Sequence, residues 1–252
     1  MHPIRAAVVF VATILAVAMP VQGQAPSAPV LVELFTAEGC SSCPPADEVL
    51  SRLAREQPIA GAQVIALGLH VDYWDELGWK DPASLHLATE RQDMYSRTLR
   101  SELYTPQLVV NGRVQLVGSD AAGARRAIVE AVQHPHAQLT LAKDGQGTSR
   151  TVRAQIADVP PEAAKEKLEA FVAVTEDGLT SEVTRGENHG RTLHHDAVVR
   201  MLVSAGTAAP GRDIQKTIEL RPEWNAGRLK AIVFLQGKRT HQIWGAASVP
   251  VG

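Results

Sequence analysis

Phe35-Thr36-Ala37-Glu38-Gly39-Cys40-Ser41-Ser42-Cys43-Pro44-Pro45-Ala46-Asp47 is the stretch on which the fold turns. Two thiols stand three residues apart, directly ahead of two prolines. Proline lacks an N–H and is tolerated in a helix only in its first turn, so the pair pins a helix start beside the cysteines. Thiols at this spacing close a disulfide when the chain turns between them, because their Cα atoms must approach to roughly 5–6 Å. Unpaired backbone N–H groups and the positive end of the helix dipole gather at the same point and favour a thiolate. A free thiol titrates near ~8.5, whereas thiols in such settings fall to roughly 3.5–7.5. Cys40, on the loop side, is expected to face solvent and to act as the nucleophile. Cys43 lies deeper and resolves the mixed disulfide. A residue before proline is pushed away from helical dihedrals, which places Cys43 at the N-cap.

Two other uses of the thiols stay open. An inert structural disulfide is one, although so short a loop removes little entropy from the unfolded chain. Metal binding is the other: both thiolates with His70 as a third ligand would suit copper or zinc.

Outward from this stretch the pattern alternates strand and helix. Val30–Phe35 reads as a buried strand, followed by a helix from Ala46 to about Glu56 with Val49, Leu50 and Leu53 on one face. Val64–Val71 is a second buried strand. Asp81-Pro82 is read as N-cap and first position of a helix running to about Leu103. Leu108–Val110 and Val114–Val117 form a hairpin about Asn111-Gly112. Ser119-Asp120 caps a last helix through Gln133. The order is β-α-β-α-β-β-α. After His134-Pro135-His136 the chain reads as short strands punctuated by Asp144-Gly145, Asp177-Gly178 and Gly237-Lys238, which suggests an antiparallel β-sandwich. Trp224, Trp244 and Phe234 are read as its core. The boundary falls at 135–137, giving segments 29–135 and 137–252.

The N-terminus reads as an address. Arg5 precedes an apolar run from Ala6 to Met19, too short to cross a ~30 Å hydrocarbon core and suited to a secretory signal. Cleavage after Gly23 makes residues 1–23 the signal peptide and leaves no membrane anchor. The expected location is exported, periplasmic or secreted, where disulfides persist. With 25 basic and 27 acidic residues the chain has no basic surplus for nucleic acid. No dinucleotide or phosphate-binding glycine motif and no Gly-x-Ser-x-Gly elbow appears, so neither a cofactor nor serine hydrolysis is expected.

The C-x-x-C between first strand and first helix, in this element order, resembles the thioredoxin superfamily over about residues 29–134. The resemblance implies an α/β thioredoxin-like domain followed by an all-β sandwich-like domain. It also implies a cis bond at Thr105-Pro106, beside the thiols, where a backbone edge pairs with substrate. More narrowly, Phe35–Asp47, His70–Asp75, Thr105-Pro106-Gln107, Val110-Asn111-Gly112, Gly186-Glu187-Asn188 and His194–Arg200 are similar to a family of exported bacterial thioredoxin-like proteins of unassigned function. Gly39 stands where thioredoxin has tryptophan, and Ser41-Ser42 replace its Gly-Pro.

On this reading Thr105, Pro106, Tyr73 and Trp74 line the substrate site, and His70 and Asp72 are candidates to move a proton. Adjacent strand residues point oppositely, so His194 and His195 do not share a site; with His189 they are expected at a surface or domain interface. Asn188, Arg191 and Arg200 are expected to tie the two halves together. The expected activity is thiol–disulfide exchange on protein thiols or disulfides, with an unknown redox recycling partner. Copper or zinc handling and a non-catalytic binding module are the alternatives.

Overall fold

The computed structural model describes residues 27–252; the signal-peptide reading of residues 1–23 lies outside them. Along β1 (Ala28–Thr36), Val30, Val32 and Leu34 enter one core while Leu31 and Phe35 enter another. β2 (Ala62–His70) does the same, with Val64 and Ala66 opposite Ile65, Leu67 and Leu69. The two strands pair in parallel, and both faces are buried, as continuous apolar runs require.

The first face is covered by α1 (Pro44–Glu56) and α3 (Ala121–Val132) through Leu50, Leu53, Ala124 and Ile128. Asp120 caps α3 by accepting the Gly123 N–H. β3 (Gln107–Val110) runs antiparallel to β1 and turns into β4 (Val114–Val117). Asn111 and Gly112 both take positive φ at that turn, 47° and 61°, as its tight reversal demands.

The second face holds the main departure from the sequence reading. It is covered by α2 (His86–Leu99) together with strands of the second half. Ala88 and Tyr95 share one core with Ala173, Leu202, Ile232, Phe234 and Ile243. The later strands are β5 (Gln138–Asp144), β6 (Ser149–Asp158), β7 (Leu168–Glu176), β8 (Leu179–Glu182), β9 (Thr192–His195), β10 (Val198–Ala208), β11 (Ile214–Glu219), β12 (Leu229–Gly237) and β13 (Ile243–Pro250). One eight-stranded sheet runs β13-β12-β7-β10-β2-β1-β3-β4 and passes through both halves. The junction is narrow: Val198 of β10 pairs in parallel with Gly68 of β2, whose N–H donates to Ala197 O at 2.7 Å.

A three-stranded sheet, β11-β6-β5, packs on the far side of β7 and β12. Two strand layers therefore face each other after residue 137, but one continues into the first half. The molecule is a mixed α/β protein built on a large β-sheet. Trp224, Trp244 and Phe234 are buried. Arg200 pairs with Glu176 and stacks on Trp224, so it ties no halves together.

α2 begins at His86, not at Pro82. Asp81 is not its N-cap; its carboxylate is drawn inward, as described below. At the centre of the shared core, Arg91 Nε donates to Glu33 Oε1 at 2.5 Å and Nη1 donates to Gln236 Oε1 of β12 at 3.0 Å. Tyr95 OH donates to Glu33 Oε2, and the guanidinium lies 5.0 Å from the Phe234 ring centre. Removing one member of a buried pair strands the other charge. Arg91→Met is expected to cost about 3–5 kcal/mol in urea unfolding, and Glu33→Gln added to it to recover much of that loss.

Candidate functional site

Cys40 and Cys43 form a disulfide with Cα atoms 5.4 Å apart. The turn is closed by Cys43 N–H donating to Cys40 O at 3.2 Å. Pro44 and Pro45 open α1, and Cys43 is its N-cap. Its dihedrals are helical (φ −77°, ψ −39°), against the expectation from Pro44, because its carbonyl accepts the N–H groups of Ala46 and Asp47.

Cys40 does not face solvent. It is 1% exposed, and Cys43 is 0% exposed. Both lie in the core that contains Phe35, Ala37 and Val71, with Trp74 packed against it. Local chain geometry put Cys40 outside; tertiary cover puts it inside. Asn188, from the connection between β8 and β9, donates Nδ2 to Glu38 O at 2.8 Å and to Cys40 O at 2.9 Å. Arg191 Nη1 donates to Asn188 Oδ1 and holds that amide in place. Glu187 Oε2 accepts the Ser41 N–H at 3.0 Å. Asn188 thus joins the two halves, whereas Arg191 bonds within the second half and acts through Asn188.

Other expected site residues separate into two groups. The Thr105–Pro106 bond is cis. Trp74 Nε1 donates to Thr105 Oγ1 at 2.8 Å, linking the β2–α2 loop to the loop before β3. Gly118 explains how Pro106 reaches the helix start: a Cβ there would stand 2.9 Å from Ala46 Cβ and 3.1 Å from Pro106 Cβ. Tyr73, 37% exposed, donates its hydroxyl to Gln92. Asp72 is placed with α2, accepting Thr89 Oγ1 at 2.5 Å and meeting His86 Nδ1 at 2.9 Å. Partial burial acts against its charge, but these partners hold its carboxyl below the usual range.

His70 is buried at the end of β2, and its Nδ1 lies 2.7 Å from Asp81 Oδ2. Asp81 also accepts the N–H groups of Glu38 and Ala83. Burial opposes the His70 cation, yet the Asp81 carboxylate, with Asp47 and Glu38 farther off, pushes it up to about 9. Burial likewise opposes the Asp81 anion, and His70 outweighs it, holding the carboxyl at about 2. His195 packs edge-on against His70 with ring centres 4.8 Å apart. Its Nε2 lies 3.4 Å from Glu38 Oε1 and its Nδ1 3.6 Å from Asp47 Oδ2, and neither nitrogen makes a hydrogen bond. Asp47 accepts Thr36 Oγ1, and burial raises its pKa against the pull of His195 and His70.

Glu38, Asp47, Asp81 and His195 thus surround the disulfide loop, and sequence reasoning did not assign them to the site. Glu38 and Asp47 flank the cysteines in sequence. Asp47 is four residues beyond Cys43 and shares its helix face; that spacing was the available signal. His195 is buried and His194 exposed, as strand alternation required. His189 is exposed. A cleft of about 470 Å³ between α1 and the β8–β9 hairpin reaches this cluster, lined by Asp47, Ser51, Arg55, Thr180, His194 and His195. Among the described residues no group of three or more His, Cys, Asp or Glu is disposed to hold a metal ion. The two carboxylates beside His195 approach opposite ring nitrogens, so they do not converge on one point.

Fold and site together define a mixed α/β protein with a closed C-x-x-C disulfide roofed by its own second half. Residues 31–236 match the family described as "Protein of unknown function (DUF1223)", and the chain belongs to that family. No curated protein matches the chain. The crystal structure of protein AGR_C_4864 from Agrobacterium tumefaciens is similar, with 25% identity and a TM-score of 0.67 over 90% of this chain and 96% of that one. HBP35 of Porphyromonas gingivalis is similar in fold, with 16% identity and a TM-score of 0.66 over 91% of this chain and 77% of that one.

The His70–Asp81 pair sets a pH dependence. A depressed carboxyl stabilises the fold above its ordinary value and loses that contribution as pH falls toward about 2. A raised histidine stabilises below 6.5 and loses its contribution as pH rises through about 9. The urea midpoint is therefore expected to fall between pH 6.5 and about 9, and to fall less in His70→Gln.

Proposed function

We propose that the protein is an exported thiol–disulfide oxidoreductase whose working group is the Cys40–Cys43 pair. The observation that carries this reading is a closed disulfide at a proline-pinned helix start, with Pro106 beside that start. The arrangement of the first half supports a thioredoxin-like reading: strand order β2-β1-β3-β4, α1 and α3 on one face, α2 on the other. The apolar run Ala6–Met19 supports export, into a compartment where such a pair is recycled by a redox partner.

The exchange is a two-electron transfer. The Cys40 thiolate attacks a substrate disulfide, forming a Cys40–substrate bond and releasing the second substrate sulfur as a thiolate. The Cys43 thiolate then attacks the Cys40 sulfur, re-forming Cys40–Cys43 and releasing the first substrate sulfur. The substrate is reduced and the pair oxidised; the reverse sequence oxidises a substrate dithiol. Trp74, Tyr73, Thr105 and Pro106 supply the rim on which a substrate chain rests.

Purified protein is expected to exchange disulfides with a test protein substrate, and Cys40→Ser to fall to the uncatalysed rate. Cys43→Ser is expected to accumulate a mixed disulfide through Cys40. Full activity in Cys40→Ser would remove the proposal.

A further inference from the structure

The proposed chemistry needs a path to a sulfur atom, and the closed structure offers none, since Cys40 is 1% exposed. We propose that Val183–Arg191, the connection between β8 and β9, is a strap closed over the Cys40 loop, which must lift before either sulfur reacts. The strap's relevance to function rests on the oxidoreductase reading; its existence does not.

The strap is folded within itself. Val183 N–H donates to Arg191 O, Gly190 N–H to Val183 O and Arg191 N–H to Asn188 O. β8 and β9 pair with each other and belong to neither larger sheet. Gly186 and Gly190 take positive φ within the strap. A self-bonded unit at the tip of this hairpin moves while β8 and β9 stay seated, without unravelling the eight-stranded sheet.

Its hold on the body is small and polar. Asn188 donates to Glu38 O and Cys40 O, and Glu187 accepts from Ser41 N–H. Ser181 Oγ donates to Glu38 Oε2 at 2.9 Å at the base of the hairpin. Gly186 sits against Gly78 and Trp79, where a Cβ would come 3.2 Å from Trp79 Cβ. Apart from Asn188 and Val183, the strap's residues are exposed, so it contributes little to any apolar core. Segments with few apolar contacts and solvent-facing hydrogen bonds open locally at low cost. The bonds fall on the backbone of Glu38, Cys40 and Ser41, the part of the loop that an incoming sulfur must approach.

The test uses a water-soluble phosphine, which attacks one sulfur, takes oxygen from water and leaves two thiols and a phosphine oxide. Its rate reports sulfur access alone, read by alkylation and mass. Asn188→Ala removes three hydrogen bonds, leaving Glu38 O unpaired and Cys40 O with only the Cys43 N–H in the closed state. It is expected to raise the reduction rate about tenfold or more. Hydrogen exchange at the Ser41 amide is expected to rise with it, while β12 amides stay protected. An unchanged rate in folded Asn188→Ala overturns the strap, as does a rise matched by equal loss of protection in β12. Should that variant fail to fold, Glu187→Gln and the native protein decide: exchange of the Ser41 amide ahead of β12 supports the strap, and exchange only together with β12 overturns it. Faster phosphine reduction without any protein disulfide exchange would sink the oxidoreductase reading and leave the strap standing.

Discussion

Charge buried on β1 and on the loop that follows it must be paired, and the structure draws part of that pairing from the second half of the chain. Glu33 is answered by Arg91, which is itself held by Gln236 of β12. Glu38 is answered by Ser181 and faces His195, and Asp47 faces the other edge of the same imidazole. Glu33 keeps Tyr95, Glu38 keeps Trp79 and Asp47 keeps Thr36 within the first half, so separating the halves strips part of each group's surroundings and not all of its pairing. The narrow backbone junction at Gly68 and Val198 is thus reinforced by polar contacts on both sides of the sheet's end. The halves differ in composition of elements, helices before residue 137 and strands after it, yet share one sheet and one core.

That union was only partly legible. Val30–Phe35, Val64–Val71, the proline-started helix, the Asn111-Gly112 turn and the Asp120 cap all lie where local patterns put them, because each is decided by neighbours in sequence. The shared sheet is decided by long-range contact. A warning was nevertheless present in Leu229-Lys230-Ala231-Ile232-Val233-Phe234-Leu235. A sandwich strand with one face in water alternates apolar and polar residues, whereas this run is apolar on both faces. One face meets β5 and β6, and the other meets the core under α2. Asp81 misled for the opposite reason: a cap signal beside Pro82 was locally sound, and a buried histidine eleven residues earlier outbid it.

The site was legible at its centre and not at its rim. The spacing of Cys40 and Cys43, the prolines after them, and Thr105-Pro106 ahead of β3 are local features with local causes. Asn188 and His195 reach the loop from about 150 residues away, and nothing in a single strand pattern says which buried histidine meets which carboxylate. The same blindness misplaced Cys40. A loop residue ahead of a helix is normally exposed; here apolar neighbours of the first half, Trp74 among them, and the connection between β8 and β9 make it otherwise.

Cover and reactivity are coupled by the same physics. A thiolate beneath the strap would sit in an apolar core, where burial disfavours the charged sulfur, and close to the carboxylates of Glu38 and Asp47, which disfavour it further. The helix start and the His70 cation act in the opposite sense. With the strap closed, desolvation adds to the carboxylates; with it lifted, water reaches the loop and screens them, while the helix start remains fixed by Pro44 and Pro45. Opening therefore does more than clear a path. On the proposed chemistry it would also shift the balance of fields at Cys40 toward the nucleophilic form at the moment that a partner sulfur is able to reach it.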